Sequence, residues 1–258
     1  VPVAAWRWGT VLRGLSRPAP LKRLMLTHLA AICINNVTPA SRLAGEACRV
    51  VALVRGRIAA TSTAVISIMY DRLSEVPAVV VLGIVGLAAL GRRVVPAIAL
   101  STVAVAVLAT CVAGFAAAWA WPRVKRQVAS LHAVTLAPRV LGLAAVVSGG
   151  LWMLDVMRLR AAAAAVGAPV TLMQSALLSA ITIVAGLVPS VGGLGVIEGG
   201  LVGGLVAFGV RPTDAAAITA IERGISYGLG TIAGAGALSA LGGRALWDAV
   251  RARVVAAS

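Results

Sequence analysis

Charged residues are too few in this chain for a water-soluble fold of its length. Asp, Glu, Lys and Arg make up 12% of its 258 residues, hydrophobic residues 60%, and the mean hydropathy is +0.99. A soluble domain carries about 25% charged residues, because its exterior must be largely polar. The expectation is an integral membrane protein, in which lipid covers the apolar exterior. The same figures exclude a disordered chain and a secreted disulfide scaffold.

The few charges are unevenly signed: 23 basic residues stand against 8 acidic ones, a net charge of +15. In a soluble chain that excess would point to nucleic acid. Here the basic residues sit at the ends of apolar runs, where they fix membrane topology. Aromatic residues are 4% of the chain, too few for base-stacking platforms, so nucleic acid is not an expected partner. Cys33, Cys48 and Cys111 lie in apolar surroundings without CxxC spacing, and the two histidines, His28 and His132, are far apart in sequence. Neither a metal site nor a Ser/His/Asp triad is supported, and no cofactor is expected. Arg7, Arg13 and Arg17 interrupt the N-terminus before any apolar core, unlike a signal peptide.

Residues 1–23 are basic and read as a cytoplasmic segment with an interfacial helix. Residues 24–54 are apolar but broken at Asn35, Asn36, Thr38, Pro39 and Ser41, with basic flanks at both ends. Each arm is too short for a span of roughly 20 residues, so the segment is expected to enter and leave on one side as a re-entrant hairpin. Residues 58–91 read as one long helix crossing outward, 94–121 as a return, 123–139 as a basic cytoplasmic stretch and 140–165 as a further crossing. Residues 170–210 form a second broken apolar stretch around Pro189-Ser190-Val191-Gly192-Gly193-Leu194-Gly195. Residues 213–242 cross inward and 243–258 form a cytoplasmic tail. Under this topology Arg92, Arg93, Arg158 and Arg160 lie outside, a local violation of the positive-inside rule.

The two broken stretches are related. Pro39 follows Pro20 by 19 residues and Pro189 follows Pro169 by 20; Arg72 follows Pro39 by 33 and Arg223 follows Pro189 by 34. An acid precedes each arginine, as Asp71 and Glu222, and a glycine and a glutamate follow each proline. The first hairpin opens to the cytoplasm and the second to the outside, so the units are expected to be inverted, the pattern of alternating-access transporters. The chain then reads as one membrane domain over 1–258, with a first unit over 1–91 and a second over 94–242. By symmetry the first unit lacks a preceding pair of helices.

Ionisable residues inside a bilayer cost roughly 2.5–3.5 kcal/mol each by insertion scales and survive when paired or when lining a wet cavity. Arg42, Glu46, Arg49, Asp71, Arg72, Glu75, Glu198, Glu222 and Arg223 gather beside the two breaks. Arg42 and Arg49 share a helical face, with Glu46 between them. Their guanidinium forks match a phosphodiester, and Glu46 or Glu198 suits an ammonium; mutual pairing that only holds the hairpin is the other reading. Asp71, Arg72, Glu75 and Glu222 with Arg223 are expected to pair across the interface between the units. Pro39 and Pro189 break their helices, and Gly192, Gly193 and Gly195 permit the backbone of the second break. Gly224/Gly228, Gly230/Gly234 and Gly199/Gly203 read as close helix packing.

Three pieces carry a family resemblance: Asn35-Asn36-Val37-Thr38-Pro39 through Arg49, Asp71-Arg72-Leu73, and Pro189 through Glu198 followed by Arg223. They resemble the lysylphosphatidylglycerol synthase transmembrane, or flippase-like, family. The resemblance implies an all-α polytopic membrane protein that moves an anionic or aminoacylated phospholipid, or a related lipid, between leaflets of the cell membrane. Asn35, Asn36, Arg42, Glu46, Arg49, Glu198 and Arg223 are the candidate headgroup contacts. The chain has no soluble aminoacyl-transferase domain, so it is not expected to be an enzyme. A membrane-embedded lipid-modifying enzyme, or an accessory subunit of a lipid or glycolipid pathway, is the alternative. Membrane lipid is the expected partner, with a second copy of the chain or a lipid-biosynthesis enzyme as further candidates.

Overall fold

The computed structural model describes residues 1–39, 43–89, 136–186, 190–243 and 248. The expected elements over 94–121 and 123–135, together with Arg42, Arg92, Arg93 and Pro189, lie outside the described residues. Within them the chain is helical: α1 (Pro2–Gly14), α2 (Leu21–Val37), α3 (Leu43–Arg55), α4 (Thr61–Leu73), α5 (Val76–Ala89), α6 (Pro138–Ala165), α7 (Leu172–Ala185), α8 (Val196–Ala207), α9 (Pro212–Arg223) and α10 (Gly230–Ala240). A 3-10 turn at Val191–Gly193 precedes α8, and a π-helical turn at Gly224–Leu229 joins α9 to α10.

Both breaks expected from sequence produce hairpins. Pro39 forces the residue before it out of the helical region, and Thr38 is extended at φ −116°, ψ 145°. Its hydroxyl donates to the Ile34 carbonyl at 2.7 Å, closing the end of α2. The chain then reverses: the Asn35 side chain accepts from the Gly45 amide at 2.7 Å near the tip, while Gly56 meets Arg23 at the open end. In the second hairpin Gly200 faces Ile181 and Gly204 faces Leu178, so α7 and α8 are antiparallel as well. Gly192, Gly193 and Gly195 hold φ of 60°, 76° and 83°, the left-handed region that glycine adopts without strain.

Two long elements depart from their expected form. The stretch 58–91 is not one helix, because α4 stops at Leu73 and α5 restarts at Val76. Pro77 supplies the reason: it has no N–H and its ring clashes with the carbonyl four residues earlier, that of Leu73. The stretch expected to cross inward, 213–242, is continuously helical through Ala240 but carries the π turn directly after Arg223. Its extra residue per turn rotates everything beyond it about the helix axis.

Residues 1–23 differ more. The α1 helix does not lie apart as an interfacial segment: Ala5, Trp8, Val11 and Leu12 are fully buried against α2, α4 and α6. Ala5, Trp8 and Leu12 form the core of a first four-helix group, α1–α4, with Leu24, Val50, Leu53, Ala64 and Ile68. The C-terminal half of α6 with α7, α8 and α9 forms a second, built on Leu159, Ala163, Leu178, Leu201, Leu205, Ala215 and Ile218. The groups exchange helices: α5 follows the first group but packs on α7, and α10 follows the second but packs on α2. Gly234 makes the second contact close, because an added methyl would meet the Leu29 carbonyl and Cys33; Gly230 faces Ile32. Gly199, Gly203, Gly224 and Gly228 face open space and serve no such packing among the described residues.

The 28-residue α6 is long and apolar enough to cross a membrane, with a mean hydropathy of 1.8 in its best window. It is the one such helix among the described residues. Large apolar side chains stand exposed on α5 (Val81, Ile84), α6 (Val146, Leu154) and α10 (Ile232), an exterior matched to hydrocarbon rather than water.

Candidate functional site

Around the first hairpin three guanidinium groups and three carboxylates close into a ring of alternating sign. Arg7 donates through Nε to Asp71 at 2.9 Å, and Asp71 accepts from Arg49 Nη2 at 2.6 Å. Arg49 donates through Nη1 to Glu46 at 3.1 Å, and Glu46 in turn holds Arg72 through Nε at 2.8 Å. Arg72 donates through Nη1 to Glu75 at 3.0 Å, and Glu75 returns to Arg7 Nη2 at 2.6 Å. Each side chain therefore has two partners of opposite sign, which is how buried charges escape the cost of lost hydration.

The elements dictate this arrangement. Asp71 and Arg72 are adjacent on α4 and so point to different faces. Asp71 turns inward between α1 and α3, while Arg72 turns to the rim. Glu46 and Arg49 are one turn apart on α3 and face α4 together. The α4–α5 break places Glu75 within reach of both Arg7 and Arg72. Arg7 is anchored from the far side by Ser148 of α6, which accepts at 2.7 Å, and Ser148 lies 3.2 Å from the Ser74 hydroxyl. Arg49 stacks over the Trp8 ring at 4.0 Å, and Trp8 donates to Ser67 at 3.2 Å.

The ring is closed on one side and open on the other. The side chains of Arg7, Arg49 and Asp71 are 2%, 1% and 1% exposed, whereas that of Arg72 is 37% exposed. A ligand approaching from outside meets Arg72 first, together with the edges of Glu46 and Glu75.

A second polar group lies where the hairpin tips meet. Arg223 donates through Nε to Glu198 at 2.6 Å and through Nη2 to the Gly192 carbonyl at 2.9 Å. Glu198 also accepts from the Gly195 amide at 2.6 Å, capping the start of α8. The Arg223 guanidinium lies 4.9 Å from the centre of the Tyr227 ring. The Tyr227 hydroxyl donates to the Asn36 carbonyl at 3.0 Å, and Asn36 Nδ2 donates to Thr231 at 2.8 Å. Asn36, at the first tip, is thereby tied to the π turn and α10 of the second unit.

A third group joins Arg158 to Glu222 at 2.7 Å and to Asp155 at 2.6 Å. This guanidinium is therefore neutralised within the protein instead of marking a loop.

The expectation that the charged pairs would bridge the two units is not met among the described residues. Each ion pair closes within its own unit, and the bridges between units are hydrogen bonds: Arg7 and Ser74 to Ser148, and Asn36 to Tyr227 and Thr231. Local packing explains this, because α3 and α4, like α8 and α9, are neighbours joined by short turns. Asn35 is drawn into the hairpin turn. Sequence reasoning passed over Arg7, Ser148, Trp8, Tyr227 and Thr231. A signal for Arg7 was present: Arg158 stands 151 residues after Arg7, the distance that separates Asp71 from Glu222 and Arg72 from Arg223. The pairs repeat with the spacing, as Arg7–Asp71 and Arg158–Glu222, and as Glu46–Arg72 and Glu198–Arg223. The positive-φ residues that end the flanking helices follow suit, Ser16 with Gly167 and Arg57 with Gly209.

Exposed apolar helices surround polar groups of paired arginines and carboxylates. The model of the lysylphosphatidylglycerol synthase TM region matches residues 1–234, and the chain belongs to that family. No match is found among curated proteins or among solved structures. Membership makes it a membrane protein whose role is tied to lipid.

Removing the Asn35 amide would leave the Gly45 N–H of the hairpin turn without its acceptor. Asn35→Ala is expected to destabilise the protein by about 1–3 kcal/mol, and Asn35→Asp, which keeps the acceptor, by less; thermal melting in detergent measures both.

Proposed function

We propose that the protein moves an anionic or aminoacylated phospholipid between leaflets, as a multi-pass protein of the cell membrane. In this reading the two hairpins enter the bilayer from opposite faces as an inverted repeat, and the headgroup passes the charged groups between them while its tails stay in lipid. The observation that carries it is the ring around Asp71 with its open edge at Arg72. A phosphodiester carries one negative charge and two oxygens in the geometry that a guanidinium fork prefers. It can therefore displace Glu46 or Glu75 from Arg72 without changing the sign pattern of the ring. Every carboxylate of the ring accepts from two guanidinium groups, an arrangement that favours binding over general acid or base chemistry. The constant spacing of the paired charges supports the repeat, and the contact of Asn36 with the Gly192 turn supports a shared path at the tips.

Arg72→Gln keeps the fold, because the side chain is partly exposed. In liposomes carrying fluorescent phosphatidylglycerol, the variant is expected to move lipid at least tenfold more slowly than wild type. A wild-type rate in the folded variant, or a lipid product of changed mass, overturns the reading. The topology has its own test. Arg57 and Arg211 are exposed at equivalent open ends of the two hairpins. Arg57→Cys and Arg211→Cys are expected to react with an impermeant maleimide from opposite faces of the membrane, and labelling from one face removes the inverted repeat.

A further inference from the structure

The six charges of the ring recur in the second unit in all but two places. With spacings of 151 or 152 residues, Arg7, Glu46, Asp71 and Arg72 of the first correspond to Arg158, Glu198, Glu222 and Arg223 of the second. Arg49, however, corresponds to Leu201, and Glu75 to Ser226. The ring therefore closes in the first unit and stays open in the second. Asp71 accepts from two guanidinium groups, Arg7 and Arg49. Among the described residues Glu222 accepts from one, Arg158, and its other oxygen has only the Ser226 hydroxyl at 3.3 Å.

Space has opened where the second guanidinium would be. A small cleft is lined by Asp155, Arg158, Leu159, Ser179, Leu201 and Glu222 among others. Leu159 and Leu201 stand there in the positions of Trp8 and Arg49, the cation and ring that fill the same place in the first unit. Ser179, in the position of His28, is 5% exposed, and its hydroxyl bonds to no described residue although it lines the cleft. A hydroxyl that faces the cleft without a protein partner can meet a ligand or water. Thr182, in the last turn of α7, also lines the cleft, so the negative end of that helix lies beside it.

We propose that this cleft binds a compact cationic group between Glu222 and Asp155, in the place that the Arg49 guanidinium fills in the first unit. Oxygen donors of this kind suit a hard monovalent ion such as sodium, or a primary ammonium. Among the described residues no three His, Cys, Asp or Glu converge, so the cleft lacks the donor set of a multidentate divalent-metal site. Its cavity volume is about 30 Å³, room for a water-sized group and far below the ~300–1,000 Å³ of pockets that enclose whole organic ligands, which excludes a complete lipid headgroup.

The test uses the full chain in non-ionic detergent without anionic lipid, so its failure leaves the translocation reading standing. Unfolding is followed by tryptophan fluorescence at constant ionic strength in choline, sodium or ethanolammonium chloride. Choline, a bulky quaternary ion without N–H donors, is the reference. The midpoint is expected to rise by roughly 5 °C when the bound cation stands about 100-fold above its dissociation constant. A response to sodium alone assigns a metal ion; a response to ethanolammonium alone assigns an amine such as a lipid headgroup supplies. Glu222→Gln is expected to abolish the response. Leu201→Arg, which supplies the missing guanidinium internally, is expected to melt higher in choline and to respond to neither cation. Ser179→Ala, the mildest change, is expected to require at least threefold more cation for the same shift. Equal midpoints of the wild type in all three salts, or wild-type responses in Glu222→Gln and Leu201→Arg, overturn the proposal.

Discussion

Asp71→Asn is expected to destabilise the protein by about 3–5 kcal/mol, the range for removing one partner from a buried ion pair. The carboxylate is fully enclosed and is the only group of the ring that joins Arg7 of α1 to Arg49 of α3. An amide can accept from one of them and neutralises neither. Arg7 keeps Glu75 and Arg49 keeps Glu46, so the loss is concentrated where α1, α3 and α4 meet. Arg49→Leu makes an informative comparison, because the second unit has leucine there and folds with one guanidinium on its acid. It is expected to cost less than Asp71→Asn. Melting curves in detergent, with yield of monodisperse protein as a second measure, decide the order. Asp71→Asn melting with the wild type would show that the ring does not hold the first unit together.

Gly192→Ala is expected to be the most damaging of the glycine substitutions at the second hairpin. Gly192 lies at φ 60°, where an L residue is disfavoured by roughly 1–2 kcal/mol. A methyl group there would also lie 2.8 Å from the Asn36 carbonyl and collide with the Tyr227 ring. The carbonyl is the acceptor for Tyr227, so relief by movement breaks the link between hairpin tips. Gly195 separates the two effects. Its φ is 83°, but a methyl group there meets nothing within 4 Å. Gly195→Ala should show the backbone penalty alone and keep lipid movement, whereas Gly192→Ala should lose both stability and movement. Equal behaviour of the two variants would mean that the tip contact is dispensable.

Much of this architecture could be read from the residues. The helical class and both hairpins follow from apolar runs interrupted by proline and glycine, and Gly192, Gly193 and Gly195 hold the positive φ that their clustering suggests. The gathering of acids and arginines beside the breaks was also visible. Which acid meets which arginine was not, because periodicity reports the face of a helix and not the neighbour that covers it. Arg7 shows the limit well. In sequence a basic residue near the N-terminus of an apolar chain resembles a topogenic charge. In the structure it is almost fully enclosed and receives two carboxylates and a serine. The break after Leu73 had a local signal in Pro77 that the long apolar run obscured. Leu201 could be recognised as the counterpart of Arg49 only after the pairings had fixed the spacing.

The crossed placement of α5 and α10 has a mechanical consequence. Each half of the molecule grips the other through an arm that its own chain sends across, so the halves cannot part like two docked modules. Any separation of the halves must therefore break the α5–α7 and α10–α2 contacts or carry those helices with it.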